Sequence, residues 1–521
     1  MTLAIDDSRR SIALWGGFAM MCVGMFMALL DTQVVVTSLP TIQRALGIPE
    51  DQMSWIQTAY LISEIISIPL TGLLTRAFGI RWLFIVSVSF FTLASIGCAN
   101  SAGFSSLILW RICQGFAGGT LIPAVFSAVF LLFPLHRQTL ATMIASVLAV
   151  LAPTIGPLVG GWVTQTYSWP WLFLINVIPG VVVAIAGIYL LPRATLRLDQ
   201  LKDLDVISLL FGAGALAALE IAIKEAPDHG WLSPWVIGLF VFCIVATAIF
   251  IRRTLRATNP LVEIRTFGNR NFSVGCALSF VVGIGLYGSI YLMPVFLAYV
   301  RGHNALQIGE IMLVTGVAQI ACAPIVAMLV RRFDVRFLSA FGFLVLTLGA
   351  ALSANQTQST DFAGMFAGQL VRGCAFMFCV LPPTELALGN LSPAAIPDAS
   401  GLFNLMRNLG GAVGIAIIDS IIFTRSPEHA QNLFNGLVSG DPGTLSTLGV
   451  THGALMQAAV DPGKRAAMAE LLKKVAFADS INDAWFALAI LTLAVTAALV
   501  LARPSSEGHA RTMSKSFAST D

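Results

Sequence analysis

Residues 14–38 read LWGGFAMMCVGMFMALLDTQVVVTS, and Asp31 is the one charged side chain in the run. A helix needs about 20 apolar residues to cross the hydrocarbon core of a bilayer. The run is too long for the apolar region of a signal peptide, and it lacks a small-x-small cleavage site. It therefore predicts a membrane-spanning helix with a carboxyl group inside it.

Similar runs recur along the whole chain, and they are too long to be the strands of a membrane barrel. Of the 521 residues 57% are hydrophobic and 11% are charged, and the mean hydropathy is +0.83. A water-soluble fold of this size could not bury so much apolar surface. We predict an all-α integral membrane protein with fourteen spans, at about 14–38, 53–75, 82–101, 104–133, 139–163, 171–191, 205–225, 234–252, 273–299, 306–330, 337–354, 362–388, 398–423 and 482–502.

Lysine and arginine are concentrated on one side of these spans. The short loops on the other side hold Arg44 and Arg301, with Lys224 at a helix end. Because cytoplasmic loops are enriched in basic residues, the pattern predicts that both termini are cytoplasmic. The basic residues assigned to the cytoplasm are Arg9, Arg10, Arg76, Arg81, Arg137, Arg193, Arg197, Lys202, Arg252, Arg253, Arg256, Arg265, Arg270, Arg331, Arg332, Arg336, Arg503, Arg511 and Lys515.

Several function classes have no support in the sequence. The net charge of +3 and the absence of a basic tract argue against nucleic-acid binding. No Gly-Lys-Ser/Thr phosphate loop is present, so ATP is not expected to be the energy source. All eight cysteines fall in apolar runs and the six histidines are scattered, which predicts neither a metal site nor a cofactor.

The spans are organised as two similar sets. An arginine occurs in the fourth span of each set, Arg111 and Arg372, and the fifth span of each set is rich in glycine. Two equivalent six-helix halves around a central site are the plan of many secondary transporters. We predict a first half at 1–203, two inserted spanning helices at 204–256, and a second half at 257–521 with a long outside loop at 424–481.

Several motifs resemble those of one transporter family. They are Asp31-Thr-Gln-Val-Val-Val-Thr-Ser-Leu-Pro40, Arg111-Ile-Cys-Gln114-Gly115, Ala152-Pro-Thr-Ile-Gly156-Pro157-Leu-Val-Gly160-Gly161, Trp169-Pro-Trp-Leu-Phe-Leu-Ile-Asn176-Val-Ile-Pro-Gly180, Asn259-Pro260-Leu and Arg270-Asn271-Phe272. Together they resemble the major facilitator superfamily, in particular the fourteen-span drug:proton antiporters of the EmrB/QacA type. The chain departs from the usual family pattern at Arg76, where many members have Asp. Members of the EmrB subgroup tend to have a basic residue there.

This resemblance implies the major facilitator fold and proton-driven export of lipophilic, drug-like compounds by alternating access. It also implies a bacterial inner membrane location and, as partners beyond substrate, protons and lipid, a periplasmic adaptor of the EmrA type with an outer-membrane channel. A helix expected at about 464–478 could dock that adaptor or could cap the protein's own outer face. The alternatives are an exporter of one metabolite, such as a siderophore, fatty acid or antibiotic, a membrane-embedded enzyme, or a passive channel.

Charged residues inside spans are costly, so each is expected to have a partner or a function. We predict that Asp31, Glu64 and Arg111 carry proton coupling. Burial favours the neutral form of a carboxyl group, and such a group could load and release a proton. The alternative for Asp31 and Glu64 is a fixed hydrogen-bonding role, and for Arg111 the bracing of backbone carbonyl groups together with Gln114.

Further residues are assigned by position and by the resemblance. The expected substrate cavity contains Asp31, Gln33, Gln57, Tyr60, Glu64 and Gln114. The resemblance makes Gly156, Pro157, Gly160 and Gly161 the antiporter motif, and it makes Gly72, Arg76, Gly79 and Arg81 a gating loop. Small residues at this spacing also permit close helix packing, and Pro157 would kink its helix. Arg372 and Arg407 are expected to brace the second half.

Overall fold

A computed structural model describes residues 2–192, 205–257, 264–330, 332–389, 391 and 396–496. Its regular structure is helical throughout those ranges, as predicted. The helices are α1 (Thr2–Val36), α2 (Leu39–Leu46), α3 (Trp55–Ser67), α4 (Leu70–Ala99), α5 (Phe104–Leu132), α6 (Leu135–Thr166), α7 (Trp171–Leu174), α8 (Val177–Leu190), α9 (Val206–His229), α10 (Pro234–Arg256), α11 (Arg270–Tyr299), α12 (Ala305–Val330), α13 (Val335–Ser353), α14 (Phe362–Leu388), α15 (Ile396–Ser439), α16 (Pro442–Leu448), α17 (His452–Val460) and α18 (Pro462–Thr496). The predicted boundary at 203/204, Asn259-Pro260 and the basic residues at 193, 197, 202, 331, 503, 511 and 515 lie outside the described residues.

Thirteen helices in the described ranges are long and apolar enough to cross a membrane. The predicted second span, 53–75, is not one of them as a single helix. It is interrupted at Ile68 and Pro69, so that α3 has 13 residues and the remainder belongs to α4. Proline lacks the amide hydrogen that would continue the helical ladder, which accounts for a break at this position.

The turn between the second and third spans is confined to Gly79 within α4. Its φ of 73° and ψ of 156° are not helical. Glycine adopts such a conformation readily because it has no Cβ. Ser67 lies against Gly119 of α5, and Ser87 is hydrogen-bonded to Thr120, the next residue of α5. The chain therefore reverses between these two serines, and the segments on either side of Gly79 account for the fourteenth predicted span.

Helices α1–α8 form a first set, and α11–α15 with α18 form a second set. The two sets meet where α6 packs on α12 and where α3 packs on α15. Helices α9 and α10 pack on each other, and α9 also contacts α15 and α3. We call the end of the bundle that carries α2 the α2 end. It is the end that the loop charges predict to be outside.

The predicted outside loop 424–481 consists largely of helices, of which the sequence predicted one, at about 464–478. Helix α15 continues past the bundle to Ser439, and α18 contains the helix expected at about 464–478 and runs on into the last span. We call residues 424–480 the cap. It has a small core of Leu437, Leu448 and Val475. The other helices of this segment were not predicted, because a hydropathy threshold detects apolar membrane spans and does not detect amphipathic helices outside the membrane.

The inserted pair α9–α10 is clamped by an ion pair at the end opposite α2. The Asp205 carboxylate accepts hydrogen bonds from Arg253 at 2.8 and 3.2 Å and caps α9 through Ser208. The Arg253 guanidinium, together with Ser208, lowers the pKa of Asp205 to about 2. The pair therefore stabilises the fold while Asp205 is ionised.

We expect the pair's contribution to stability to depend on pH in one direction. A carboxyl whose pKa is lowered on folding stabilises above its unfolded pKa of about 3.9, and the effect is lost as pH falls through about 2. The difference in thermal unfolding midpoint between wild type and Arg253→Gln should be constant from pH 7 to about 4 and should shrink below that. Arg252→Gln, one residue away, is the control. A difference that grows on acidification would contradict this assignment.

Candidate functional site

The buried ion pair between Asp31 and Arg111 is the centre of the candidate site. Arg111 Nη1 of α5 lies 2.6 Å from Asp31 Oδ2 of α1, and both side chains are fully buried. Arg111 Nε donates to the carbonyl oxygen of Ile56 at 3.0 Å, and its guanidinium lies 4.3 Å from the centre of the Tyr60 ring. The charge of Arg111 is thus compensated by a carboxylate, a carbonyl group and an aromatic face.

Neutral side chains complete the coordination of the Asp31 carboxylate. Gln114 Nε2 and Asn176 Nδ2 donate to Asp31 Oδ1 at 2.9 and 2.7 Å. Gln114 also bonds Arg111 Nη1 at 2.7 Å and Ser95 Oγ at 2.9 Å. All five side chains are buried, and the network joins α1, α4, α5 and the start of α8. The structure brings together the predicted Asp31, Arg111 and Gln114.

Two glycines of α5 allow α3 to approach this network. A Cβ at Gly115 would lie 2.3 Å from the Tyr60 carbonyl oxygen, and one at Gly119 would lie 2.5 Å from the Glu64 carbonyl oxygen. The close backbone contact holds Tyr60 against Arg111. It also fixes the direction in which Glu64 points.

Glu64 is buried, but it lies outside the Asp31–Arg111 network. The groups of the second set that face its carboxyl are Arg407 and Asn408 of α15. Tyr287 of α11 donates to Asn408 Oδ1 at 3.4 Å. The structure therefore places Glu64 at the contact between the two helix sets, whereas Asp31 and Arg111 lie within the first set.

Several buried polar atoms of α1 and α3 lack hydrogen-bond partners among the described residues. They are Gln57 Nε2 and Oε1, Tyr60 OH, Glu64 Oε2 and Gln33 Oε1. Gln57, Tyr60 and Glu64 share one face of α3, since they are spaced by three and four residues. Buried polar atoms without partners are rare in proteins. Four of the six residues expected in the substrate cavity thus offer free donors or acceptors.

The glycines of α6 mediate contacts on both of its sides. A Cβ at Gly160 would lie 2.3 Å from the carbonyl oxygen of Val34 in α1, and one at Gly156 would lie 2.3 Å from Gln33 Cβ. On the opposite side a Cβ at Gly161 would lie 2.2 Å from the carbonyl oxygen of Ala305 in α12. The motif therefore joins α6 both to its own set and to the second set.

Side chains also close the α2 end between the two sets. Ser54 Oγ donates to Asp419 Oδ2 at 2.6 Å, and Tyr291 OH donates to Asp419 Oδ1 at 2.5 Å. Tyr299 OH donates to Gln43 Oε1 of α2 at 3.1 Å. Ser54 and Gln43 belong to the first set and the others to the second. The structure is consequently closed at the α2 end.

Comparison of the sequence with family profiles and with characterised proteins identifies the family of this chain. A family profile described as Major Facilitator Superfamily matches residues 21–415. The chain belongs to the Major Facilitator Superfamily. It is 38% identical over 423 residues to the colistin resistance protein EmrB of Acinetobacter baumannii, a match that covers 80% of this chain and 82% of that protein. It is 30% identical over 435 residues to the multidrug export protein EmrB of Escherichia coli K12, with 82% and 85% covered.

Solved structures of other transporters have the same fold. A bacterial homologue of the human lysosomal transporter Spinster, inward-facing and unoccupied, matches with a TM-score of 0.56 at 14% identity, covering 94% of this chain and 96% of that one. The nucleoside transporter NupG matches with a TM-score of 0.58 at 12% identity, covering 93% and 99%. The chain is therefore an EmrB-like, multi-pass membrane protein of the superfamily, as its motifs predicted.

Other predicted residues of this superfamily member occupy varied positions. Arg81 donates to the Ile188 carbonyl oxygen at 2.5 Å and ties α4 to α8, whereas Arg76 is exposed. Arg407 Nη2 bonds Asn404 on its own helix at 2.7 Å. Arg372 donates to Ser353 of α13 and lies 4.2 Å from the ring centre of Trp485 in α18. The side chains of Arg81 and Arg372 thus each contact a helix other than their own.

Sequence reasoning assigned no role to Asn176, Ser95 or Tyr291. Asn176 belongs to the motif Trp169–Gly180 and lies one residue before α8. Its place in that motif was the sequence feature that could have indicated a role. Ser95 and Tyr291 carry no charge and lie inside apolar runs. Asp31 and Arg111 were identified because charged residues inside apolar runs are costly to bury. Neutral polar residues are not identified by this criterion.

We expect loss of Asp419 to open the α2 end of this transporter. Asp419→Ala removes two hydrogen bonds to a carboxylate, each worth roughly 1.5–3 kcal/mol, and the closed population should fall at least tenfold. The measurement is the reaction rate of a membrane-impermeant maleimide with a cysteine placed at Gln52, which lines a cavity together with Asp419. Asp483→Ala is the matched control, because Asp483 bonds Arg425 and His429 within the second set. Equal rates in wild type and Asp419→Ala would contradict the closing role.

Proposed function

We propose that this protein is a proton-coupled secondary exporter of lipophilic, drug-like compounds that works by alternating access. Its place would be the bacterial inner membrane, with both termini in the cytoplasm. The observation that carries the proposal is the buried ion pair of Asp31 with Arg111. The similarity to proteins named as multidrug export and colistin resistance EmrB supports export as the direction and lipophilic compounds as the substrate class.

The ion pair provides a physical means of coupling. When a proton binds Asp31 Oδ2, the carboxyl group becomes neutral and Arg111 remains charged, since guanidinium does not lose its proton in proteins. An uncompensated buried charge is unstable by several kcal/mol, so the protein must rearrange until a new partner or water reaches Arg111. Proton loading at this site thereby favours a different conformation.

The alternating motion would use the contacts between the two helix sets. We propose that 1–203 and 257–521 rock against each other as halves, with 204–256 as an inserted pair. The contacts of Gly161 with Ala305 and of Ser54 with Asp419 would hold the α2 end closed. Arg76 and Gly79 would act at the opposite end. The unpartnered atoms of Gln57, Tyr60 and Glu64 would line the substrate path.

The cap would provide a docking place for a periplasmic adaptor of the EmrA type, which in turn would connect to an outer-membrane channel. Its own small core supports an independent structural unit beyond the bundle. Phe434, Val438 and Val460 expose 53%, 74% and 84% of their surface, which leaves apolar area for a partner. The alternative remains a cap with no partner.

Transport in proteoliposomes tests the proposed function. Purified protein with an imposed pH gradient should concentrate a lipophilic dye, and addition of the dye should change the internal pH. A protonophore should abolish both effects, and empty liposomes are the control. Dye flux down its own gradient without a pH change would indicate a passive channel. Selective transport of one metabolite would favour the dedicated exporter, and chemical conversion of the dye would indicate an enzyme.

A further inference from the structure

Arg372 in the second set occupies the position that corresponds to Arg111, in the fourth span of its half, but its surroundings differ. It is fully buried, and no carboxylate of a described residue lies within 4 Å of it. Its polar contact is the Ser353 hydroxyl, and its ring contact is Trp485. The negative charge that Asp31 supplies in the first half has no counterpart in the described second half.

Two hydrogen-bond donors next to each other lack acceptors there. Arg372 Nε and Gln369 Nε2 are both buried, and neither has a partner among the described residues. The other end of the Gln369 amide is fixed, because its Oε1 accepts from Thr315 at 3.1 Å. Gln369 precedes Arg372 by three residues, so both project from the same face of α14.

Both residues line one small cavity between the two helix sets. The cavity has a volume of about 30 Å³, enough for one water molecule or the head of a small polar group. Its walls include Thr315 and Gln319 of α12 and, from the first set, Pro153 and Pro157 of α6. It therefore adjoins the contact of α6 with α12, which must rearrange if the two halves rock.

We propose that Arg372 and Gln369 form a binding subsite for the carboxylate group of an exported lipophilic acid. A guanidinium and a neighbouring amide are suited to two oxygen atoms of one planar group. The apolar body of the compound would lie between the helix sets, and its head would supply the negative charge that the second half lacks. The identity of the ligand as a substrate rests on the proposed function, whereas its binding does not.

The alternative within the fold is that Trp485 and Ser353 alone compensate Arg372. A cation over an aromatic ring is stabilised, but this contact leaves Arg372 Nε and Gln369 Nε2 without acceptors. Arg111 has an aromatic ring at nearly the same distance and a carboxylate as well. The comparison within one chain thus favours a missing acceptor rather than a site completed by the ring.

Binding of a matched pair of probes tests the subsite. 2-Naphthoic acid is an anion at neutral pH, and 2-naphthamide has nearly the same shape without the charge. With full-length protein in lipid nanodiscs and no pH gradient, we expect the acid to bind at least tenfold more tightly than the amide. In Arg372→Met the acid should lose at least tenfold in affinity and the amide should be unchanged. Gln369→Leu should lose about threefold for the acid.

Control variants separate this site from general effects of charge and folding. Arg252→Met makes the same chemical change at an exposed position of α10, and it should leave both affinities unchanged. If Arg372→Met does not fold, Arg372→Lys, which keeps the charge, should retain a weaker preference for the acid, and Gln369→Leu still tests the second donor. Equal binding of acid and amide to wild type, or a preference that survives in Arg372→Met, would overturn the proposal.

The same assay distinguishes a site for an organic acid from a site for inorganic anions. Exchange of gluconate for chloride should leave the affinity for 2-naphthoic acid within twofold, and displacement by chloride would overturn the assignment to an organic acid. Because no gradient is needed, failure of this binding test would leave proton-coupled export of neutral compounds intact. Failure of transport would equally leave a positive binding result standing.

Discussion

Asp31→Asn is expected to abolish proton-coupled export and to destabilise the protein. The substitution leaves Arg111 buried without a counter-charge, and breaking a buried ion pair on one side costs roughly 3–5 kcal/mol. The amide cannot bind and release a proton, so export of a lipophilic dye from cells that lack other pumps should fall at least tenfold. Dye accumulation and the thermal unfolding midpoint are the two measurements.

The double variant Asp31→Asn/Arg111→Gln separates the structural role from the coupling role. It removes both charges, so much of the lost stability should return while export stays absent. Asp483→Ala is a second comparison, because Asp483 lies outside the ion-pair network and bonds Arg425 and His429, so it should leave export unchanged. Wild-type export by the double variant would show that the pair only holds the helices together.

Gly161→Ala is expected to shift the transporter away from the state closed at the α2 end. Its Cβ would lie 2.2 Å from the Ala305 carbonyl oxygen, a backbone atom that cannot move unless α12 moves. Overpacking of this kind costs roughly 1–3 kcal/mol, which corresponds to a loss of the closed population of about fivefold to about 150-fold. Distances between spin labels at Glu50 and Gln307, one on each helix set, should lengthen.

Two other glycines serve as controls for this effect. Gly160→Ala would clash with the Val34 carbonyl oxygen inside the first set, so it should lower stability without a specific increase in the distance between sets. Gly238 in α10 has open space around a Cβ, and Gly238→Ala should change neither quantity. An unchanged label distance in Gly161→Ala would refute the closing role of the α6–α12 contact.

The sequence predicted the helices well because apolar length is the property that a bilayer selects. It also identified Asp31 and Arg111, since charges within such runs are rare and costly. It could not establish that the two meet. Their separation of 80 residues in the chain contains no period that would indicate contact.

Other features depended on tertiary contacts. The structure buries Asp419 against Ser54, 365 residues away in the chain. The cap was predicted as an outside segment with one helix, and Arg425, Glu428 and His429 interrupt the apolar pattern where it begins. These residues lie on the continuous helix α15, where Arg425 forms ion pairs with Glu428 and with Asp483 of α18, and His429 is hydrogen-bonded to Asp483. Propensity and hydropathy describe single segments, whereas these positions are fixed by neighbouring helices.

Infrared difference spectroscopy of the protonation of Asp31 tests the coupling mechanism most directly. Addition of a transported dye to the purified protein in lipid should change the carbonyl band of a protonated carboxylic acid. That change should be missing in Asp31→Asn/Arg111→Gln and present in Asp483→Ala, which removes a carboxylate outside the site. A difference spectrum that is the same in wild type and in the double variant would show that Asp31 keeps its charge throughout transport, which would contradict the mechanism.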